Sequence, residues 1–496
     1  MESMVRNFID GTWVDSRSGK RFEKTNPADS RDVVASVTIS DSDDVDLAVA
    51  AARRAYPAWK ALPAPKRGEI LFRVGELLLK KKTELGHLVT REMGKVLAEG
   101  LGDVQEAIDM AYYMAGEGRR LHGETVPSEL PDKDCKSVRE PHGVIALITP
   151  WNFPTAIPAW KLFPALICGN TVVLKPSSST PACAAALVQA LEEAGVPKGV
   201  VNLVCGPGED VGEYLVTHPG VDAVSFTGSC AAGERLESLL GTLHRPLALE
   251  MGGKNAIIVM DDADLHLALE GVLWGAFGTS GQRCTASSRV FVHDSRYEQF
   301  LALLKMAAAG LKIGPGLNSS TDVGPLINEP QLQKVLKYIS IGQEEGARLV
   351  AGGSRILGGD CSNGYFVEPT IFADVLPLMR VAQEEIFGPV VSVLRFSTLE
   401  EAIALVNDVK FGLSSAVYTR DVNNSARAER DLQTGIVYIN ASTIGAEIQL
   451  PFGGWKHSGS GHPEAGGRGG ALDFYSRVKV VYRDFSGRLQ KAQIDR

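Results

Sequence analysis

The sequence predicts an α/β protein with two parallel-sheet domains, on three observations. Short β-branched apolar runs recur, each followed by a helix-length segment, which is the pattern of βαβ units. The alternation halts at Gly252-Gly253 and then starts again, so two such units lie in series. A chain of 496 residues is also too long for one simple core.

Taken in order, the first helical stretch runs from Val45 to Glu99, where Leu47, Ala51 and Ala55, then Ile70, Val74, Leu77 and Leu78, recur at three- and four-residue steps. Asp103 to Arg120 reads as another amphipathic helix, and His122 to Glu140 as polar and turn-rich. Strands are then expected at 143–148, 171–174, 200–204 and 223–226, with a helix from Pro181 to Ala194. This first unit has the character of a dinucleotide-binding domain. A second unit, about 256–450, is expected to hold strands at 255–259, 289–292, 390–394 and 436–439 and a helix from Leu265 to Phe277. Val478 to Tyr482 reads as a strand remote from both cores, placed to pair with a neighbouring subunit.

Composition narrows the function. Apolar residues make up 44%, charged residues 22%, and the net charge is −8 without a long basic run. Nucleic acid and anionic membranes are therefore not expected partners. The N-terminal segment lacks the apolar core of a secretion signal, and no window holds the roughly 18 apolar residues of a spanning helix. The seven cysteines are scattered, with no CxxC pair and no zinc-site spacing, so no metal is expected and a reducing cytoplasm fits best.

Six segments carry chemistry. In Phe277-Gly-Thr-Ser-Gly-Gln-Arg-Cys284-Thr a cysteine sits among glycines and small polar residues, open to an approaching carbonyl and suited to nucleophilic attack. Thr149-Pro-Trp-Asn152-Phe-Pro154 follows a strand and offers an amide N–H to a developing oxyanion. Leu174-Lys175-Pro-Ser-Ser178 ends a strand, where ligands of parallel sheets collect. Phe226-Thr-Gly228-Ser229 runs from a strand into a helix whose first N–H groups suit a pyrophosphate, although no G-x-G-x-x-G follows any expected strand. In Leu249-Glu250-Met-Gly-Gly253 a carboxylate beside paired glycines suits a general base that moves. In Gln383-Glu-Glu385-Ile-Phe387-Gly-Pro389 an acid and an aromatic suit a ribose and a nicotinamide ring. Each of the last five also reads as ordinary loop or turn chemistry when taken alone.

In order and spacing these segments resemble the aldehyde dehydrogenase superfamily over nearly the whole chain, as do Leu450-Pro-Phe-Gly-Gly454 and Lys456-His-Ser-Gly-Ser-Gly461. The resemblance implies a Rossmann-type cofactor domain (1–124 and 143–255), an α/β catalytic domain (256–450), and an oligomerisation arm with the C-terminal segment (125–142 and 451–496). It implies Cys284 as nucleophile, Asn152 with the Cys284 backbone N–H as oxyanion donors, and Glu250 as the base that hydrolyses a thioester. Trp151, Lys175, Ser178, Gly228, Ser229, Glu385 and Phe387 would hold NAD or NADP. Many NAD-preferring members carry glutamate where this chain has Ser178, so NADP is expected to be tolerated.

For the substrate, Arg120 matches a carboxylate-binding arginine of semialdehyde-oxidising members, and Phe452 lies on the substrate side. Gly278 stands where some succinic semialdehyde enzymes carry a further arginine. Gly445-Ala-Glu447-Ile-Gln-Leu450 together with Gly-Gln-Arg-Cys284 is most similar to α-ketoglutarate semialdehyde (2,5-dioxopentanoate) dehydrogenases. The expected reaction is oxidation of a short carboxylated aldehyde to the acid. The alternatives are a broad enzyme for uncharged aldehydes and a succinate or aminoadipate semialdehyde dehydrogenase. The arm implies a homodimer or homotetramer.

Overall fold

Val144–Ile148 lies at the centre of the first sheet, and all five of its residues are buried. β-Branched and apolar side chains on both faces of such a strand need helices above and below, which is the usual setting of a parallel sheet. The computed structural model, which describes residues 3–494, places parallel neighbours on both sides of this strand. Thr171–Lys175 and then Val201–Leu203 extend the sheet one way, and the chain returns to add Ala223–Thr227 and Leu247–Glu250 on the other. The strand order therefore reverses between Val144–Ile148 and Ala223–Thr227. In open α/β sheets the crevice outside the carboxyl ends at such a reversal is where ligands bind.

The second sheet is built on Asn255–Val259, flanked by Ser287–His293 and Ser414–Tyr418, with Val390–Phe396, Thr370–Ala373 and Ile436–Ile439 also parallel and Arg348–Ala351 antiparallel at one edge. The helix Leu265–Phe277 has the bounds expected from the sequence. The helical N-terminal stretch divides into Ser42–Ala61, Ala64–Lys80 and Lys82–Met93, followed by Leu97–Glu117. The first break falls at Pro63, and Gly94 closes the third helix in the left-handed conformation. Asp41 caps the first helix, with Asp44 completing a capping box.

The β-arm expected from 125–142 and the C-terminal strand is present as a three-stranded sheet. The segment read as polar and turn-rich contains the strands Thr125–Pro127 and Lys133–Pro141. The C-terminal strand Ser476–Asp484 pairs antiparallel with Lys133–Pro141 of its own chain, from Ser476 opposite Pro141 to Asp484 opposite Lys133. Thr125–Pro127 and Lys133–Pro141 are largely polar on both faces, so periodicity did not mark them, whereas the alternating Val478, Val480 and Tyr482 did mark the C-terminal strand. The strands Asn7–Ile9 and Thr12–Val14, which extend the first sheet as an antiparallel ribbon, were also not expected. Among the described residues no helix is long and apolar enough to cross a membrane.

Candidate active site

The carboxyl ends of the first sheet face the amino ends of the second. Loops that leave Val144–Ile148, Ala223–Thr227 and Leu247–Glu250 meet loops that enter Ser287–His293 and Val390–Phe396. The pocket between them is lined by Trp151 and Asn152, by Gly228 and Ser229, and by Cys284, Glu385 and Phe387 from the second sheet's side.

The turn that carries Cys284 is strained and held in place. Thr279, Ser280 and Gly281 all have positive φ, at 52°, 57° and 67°. Two non-glycine residues in this region cost about 1–3 kcal/mol each, so the surroundings must over-determine them. Both oxygens of Glu99 accept the Thr279 N–H, at 2.9 and 3.0 Å. Ser280 Oγ donates to the Gly324 carbonyl, and the buried Gln282 accepts from Ile327 N–H and donates to the Pro325 carbonyl. A Cβ on Gly281 would lie 2.2 Å from the Gly388 carbonyl oxygen, so this turn packs against the Glu385–Pro389 turn only through glycine.

Cys284 is half-buried, and its carbonyl accepts from Asn255 Nδ2 at 2.7 Å. Burial pushes its thiol up to about 12, and the carboxyls of Glu250, Glu385 and Glu464 add to the shift. The neighbouring Arg283 does not offset this, because its guanidinium is paired with Glu99 at 2.9 Å. Asn152 is buried, and among the described residues its side chain has no hydrogen-bond partner, so its amide is free to donate into the pocket. Its loop is held by Asp103, whose carboxylate caps the helix Ala156–Cys168 by accepting the N–H groups of Thr155 and Ala156.

Glu250 ends its strand but does not line the pocket. Its Oε2 accepts the Gly454 N–H at 3.2 Å, while Oε1 is buried without a partner. Burial raises its carboxyl well above the usual range, Glu464 raises it further, and Gly454 N–H and Lys161 oppose the shift. Glu464 in turn accepts from Lys161 Nζ and Thr227 Oγ1, and Lys161 also donates to Ser225 Oγ. Sequence reasoning missed this buried group. Lys161 was the available signal, a single charge in the helix Ala156–Cys168, whose 13 residues are all buried. Glu464 had none, since only folding brings it to Lys161.

Ser229 caps the helix Cys230–Leu240, accepting the Ala232 N–H, and it lines both the pocket and an adjoining cavity of about 380 Å³. Ile148, Phe226 and Leu236 give that second cavity apolar walls, and Glu209, Glu213 and Arg235 give it charges. The elongated site, with a helix N-terminus at its middle, fits a dinucleotide. Glu385 accepts the Gly253 N–H at 3.1 Å, and Trp151 meets Phe387 edge to face at 5.3 Å. Lys175 and Ser178 line neither cavity. Lys175 packs behind Gly212, donates to the Pro176 carbonyl and is lowered to about 8 by burial, while Ser178 donates to the Gly206 carbonyl.

On the substrate side, Phe452 is buried in the core against Trp160, with ring centroids 5.3 Å apart. Arg120 pairs with Glu117 at 2.6 Å, leaves 58% of its side chain exposed and does not line the pocket.

Comparison with known proteins agrees with this arrangement. Residues 13–481 match the profile of the Aldehyde dehydrogenase family. The chain is 44% identical over 476 residues to the alpha-ketoglutaric semialdehyde dehydrogenase of Bacillus subtilis (strain 168), covering 96% of this chain and 97% of that one. It is 42% identical over 472 residues to the 2,5-dioxopentanoate dehydrogenase of Saccharolobus solfataricus, covering 95% and 97%. The crystal structure of betaine aldehyde dehydrogenase from Staphylococcus aureus in complex with NAD+ superposes with a TM-score of 0.95 at 36% identity, covering 98% of this chain and 96% of that one. A likeness that runs through almost the whole chain, rather than through one shared domain, shows that it belongs to the aldehyde dehydrogenase family.

Proposed function

We propose that this protein oxidises a short aldehyde with a remote carboxylate, α-ketoglutarate semialdehyde first, to the corresponding acid with NAD or NADP. The observation that carries the chemistry is the meeting of Cys284 with the unpartnered amide of Asn152 at the sheet's reversal point. The carboxylated substrate is supported by the semialdehyde relatives.

In the first step Cys284 Sγ bonds to the aldehyde carbon, and the carbonyl oxygen becomes an oxyanion held by Asn152 Nδ2 and the Cys284 N–H. The thiol proton passes to Glu250, whose raised basicity brings it closer to that of the thiol. A bound nicotinamide dinucleotide supplies the acceptor for the hydride that leaves the tetrahedral carbon, and a thioester remains on Cys284. Glu250, once it has released the thiol proton to solvent, takes a proton from water as the water oxygen bonds to the thioester carbon; the carbon–sulfur bond breaks, the proton returns from Glu250 to the sulfur, and the acid is released. Gly454 and the Glu464–Lys161 pair set how readily Glu250 gives and takes that proton.

Ser178 bears on the choice of cofactor, because a hydroxyl there does not repel a 2′-phosphate as a carboxylate would. We place the protein in the cytoplasm, where its seven unpaired cysteines stay reduced. We also propose a homo-oligomer, because Val478, Val480 and Tyr482 on the edge strand are 63%, 56% and 67% exposed.

Initial rates with α-ketoglutarate semialdehyde, succinic semialdehyde and hexanal, each with NAD and NADP, test this reading. The expected result is at least tenfold higher kcat/KM for a carboxylated aldehyde. Equal or better use of hexanal would replace it with a broad aldehyde dehydrogenase, and no measurable use of NADP would remove the role given to Ser178.

A further inference from the structure

Arg283 stands beside the nucleophile, yet its guanidinium is drawn aside into an aromatic slot. Nε donates to Thr279 Oγ1 and Nη2 to Glu99 Oε1, both at 2.9 Å. The guanidinium carbon lies 5.3 Å from the ring centre of Phe153 and 5.7 Å from that of Trp274. Phe153 directly follows Asn152, and Trp274 is 50% exposed on the helix that runs into the nucleophile's turn. The slot thus runs from the neighbours of Asn152 and Cys284 to a ring that is 50% exposed. The chain leaves room for it at Gly278, where a Cβ would lie 3.1 Å from Trp274 Cδ1 and 3.2 Å from the Glu99 oxygen that Arg283 holds.

A guanidinium has five N–H donors, and two of them are used here. Among the described residues Nη1 has no hydrogen-bond partner, so an open edge of the fork remains. Glu99 anchors the group from one side only, since it is also committed to the Thr279 N–H. The slot is balanced in charge. Lys95 Nζ lies 3.7 Å from the Phe153 ring centre and pairs with Asp103 at 3.1 Å, while Arg283 pairs with Glu99.

We propose that Arg283 binds the remote carboxylate of the aldehyde and thereby selects carboxylated substrates. This rests on the substrate reading above and names the residue that enforces it. Paired N–H donors on a planar cation match the two oxygens of a carboxylate, and stacking holds the plane in place. Arg120, paired with Glu117 and 58% exposed, is the alternative anchor that the variants below separate from Arg283.

Arg283→Gln, Arg283→Lys and Arg120→Ala test the assignment, with kcat and KM measured for α-ketoglutarate semialdehyde and hexanal. For Arg283→Gln the ratio of kcat/KM for the carboxylated aldehyde over hexanal should fall about 10–100-fold, mainly through KM, as expected for losing a charge-assisted hydrogen-bonded contact. Arg283→Lys should fall between, and Arg120→Ala should keep the ratio of the unmutated protein. An unchanged ratio in Arg283→Gln, or equal losses on both aldehydes, would overturn the proposal. If neither Arg283 variant folds, Trp274→Ala, which removes the ring packed on the guanidinium, should lower the same ratio, and an unchanged ratio there would overturn the proposal. A wild-type preference for hexanal would instead remove the substrate reading itself.

Discussion

Cys284 and Glu250 share surroundings that favour their protonated forms, and this sets the response of the reaction to pH. Glu250 is raised well above the carboxylate range by burial and by Glu464. A raised carboxyl reaches its basic form only above its shifted pKa, so thioester hydrolysis should still be accelerating as pH rises above the usual carboxylate range. Single-turnover and steady-state rates across pH check the sign; a hydrolysis rate that levels off within the usual carboxylate range would argue against Glu250 as the base. Glu250→Gln removes the acceptor of both protons, so it should slow the burst of reduced cofactor and lower the steady rate by about 10²–10⁴-fold. Asn152→Ala removes one oxyanion donor and should reduce kcat by about 10²–10³-fold, with cofactor affinity little changed as read by fluorescence titration.

The turn before Cys284 links the two sheets, and glycine is required at its tightest point. Gly281 combines a φ of 67° with a contact that would place a Cβ 2.2 Å from the Gly388 carbonyl oxygen. Gly281→Ala should therefore destabilise the fold by at least about 1–3 kcal/mol and lower kcat, because relief of the clash moves either Cys284 or Glu385. Denaturant unfolding and steady-state rates measure the two effects, and a variant equal to the parent in both would show that the turn is not constrained. The glycine-rich composition of this segment was plain in the sequence, and so was the cysteine's suitability as a nucleophile. The left-handed Thr279 and Ser280 were not, because residues outside the turn hold them there: Glu99, Gly324 and the Gln282 contacts with Pro325 and Ile327.

In the whole molecule, the arm sheet ends in an edge strand, Ser476–Asp484, with its apolar residues facing solvent. A second subunit covering this edge would remove that exposure, so Val480→Lys should lower the mass seen by sedimentation; an unchanged mass would place the subunit contact elsewhere. The sequence by itself determined the two α/β units, the helix Leu265–Phe277 and the central strands, because buried parallel strands and their covering helices write their periods locally. It also singled out Cys284, Asn152, Glu250 and Glu385 as candidates, three of which, Cys284, Asn152 and Glu385, line one pocket. Tertiary structure alone decided their partners. It brought Glu464 to Lys161, bound Arg283 to Glu99 and Arg120 to Glu117, and paired Ser476–Asp484 with Lys133–Pro141. The reason is physical: burial and charge pairing depend on groups far apart in the chain, and neither the depth of a carboxylate nor the direction of a guanidinium is encoded by its immediate neighbours.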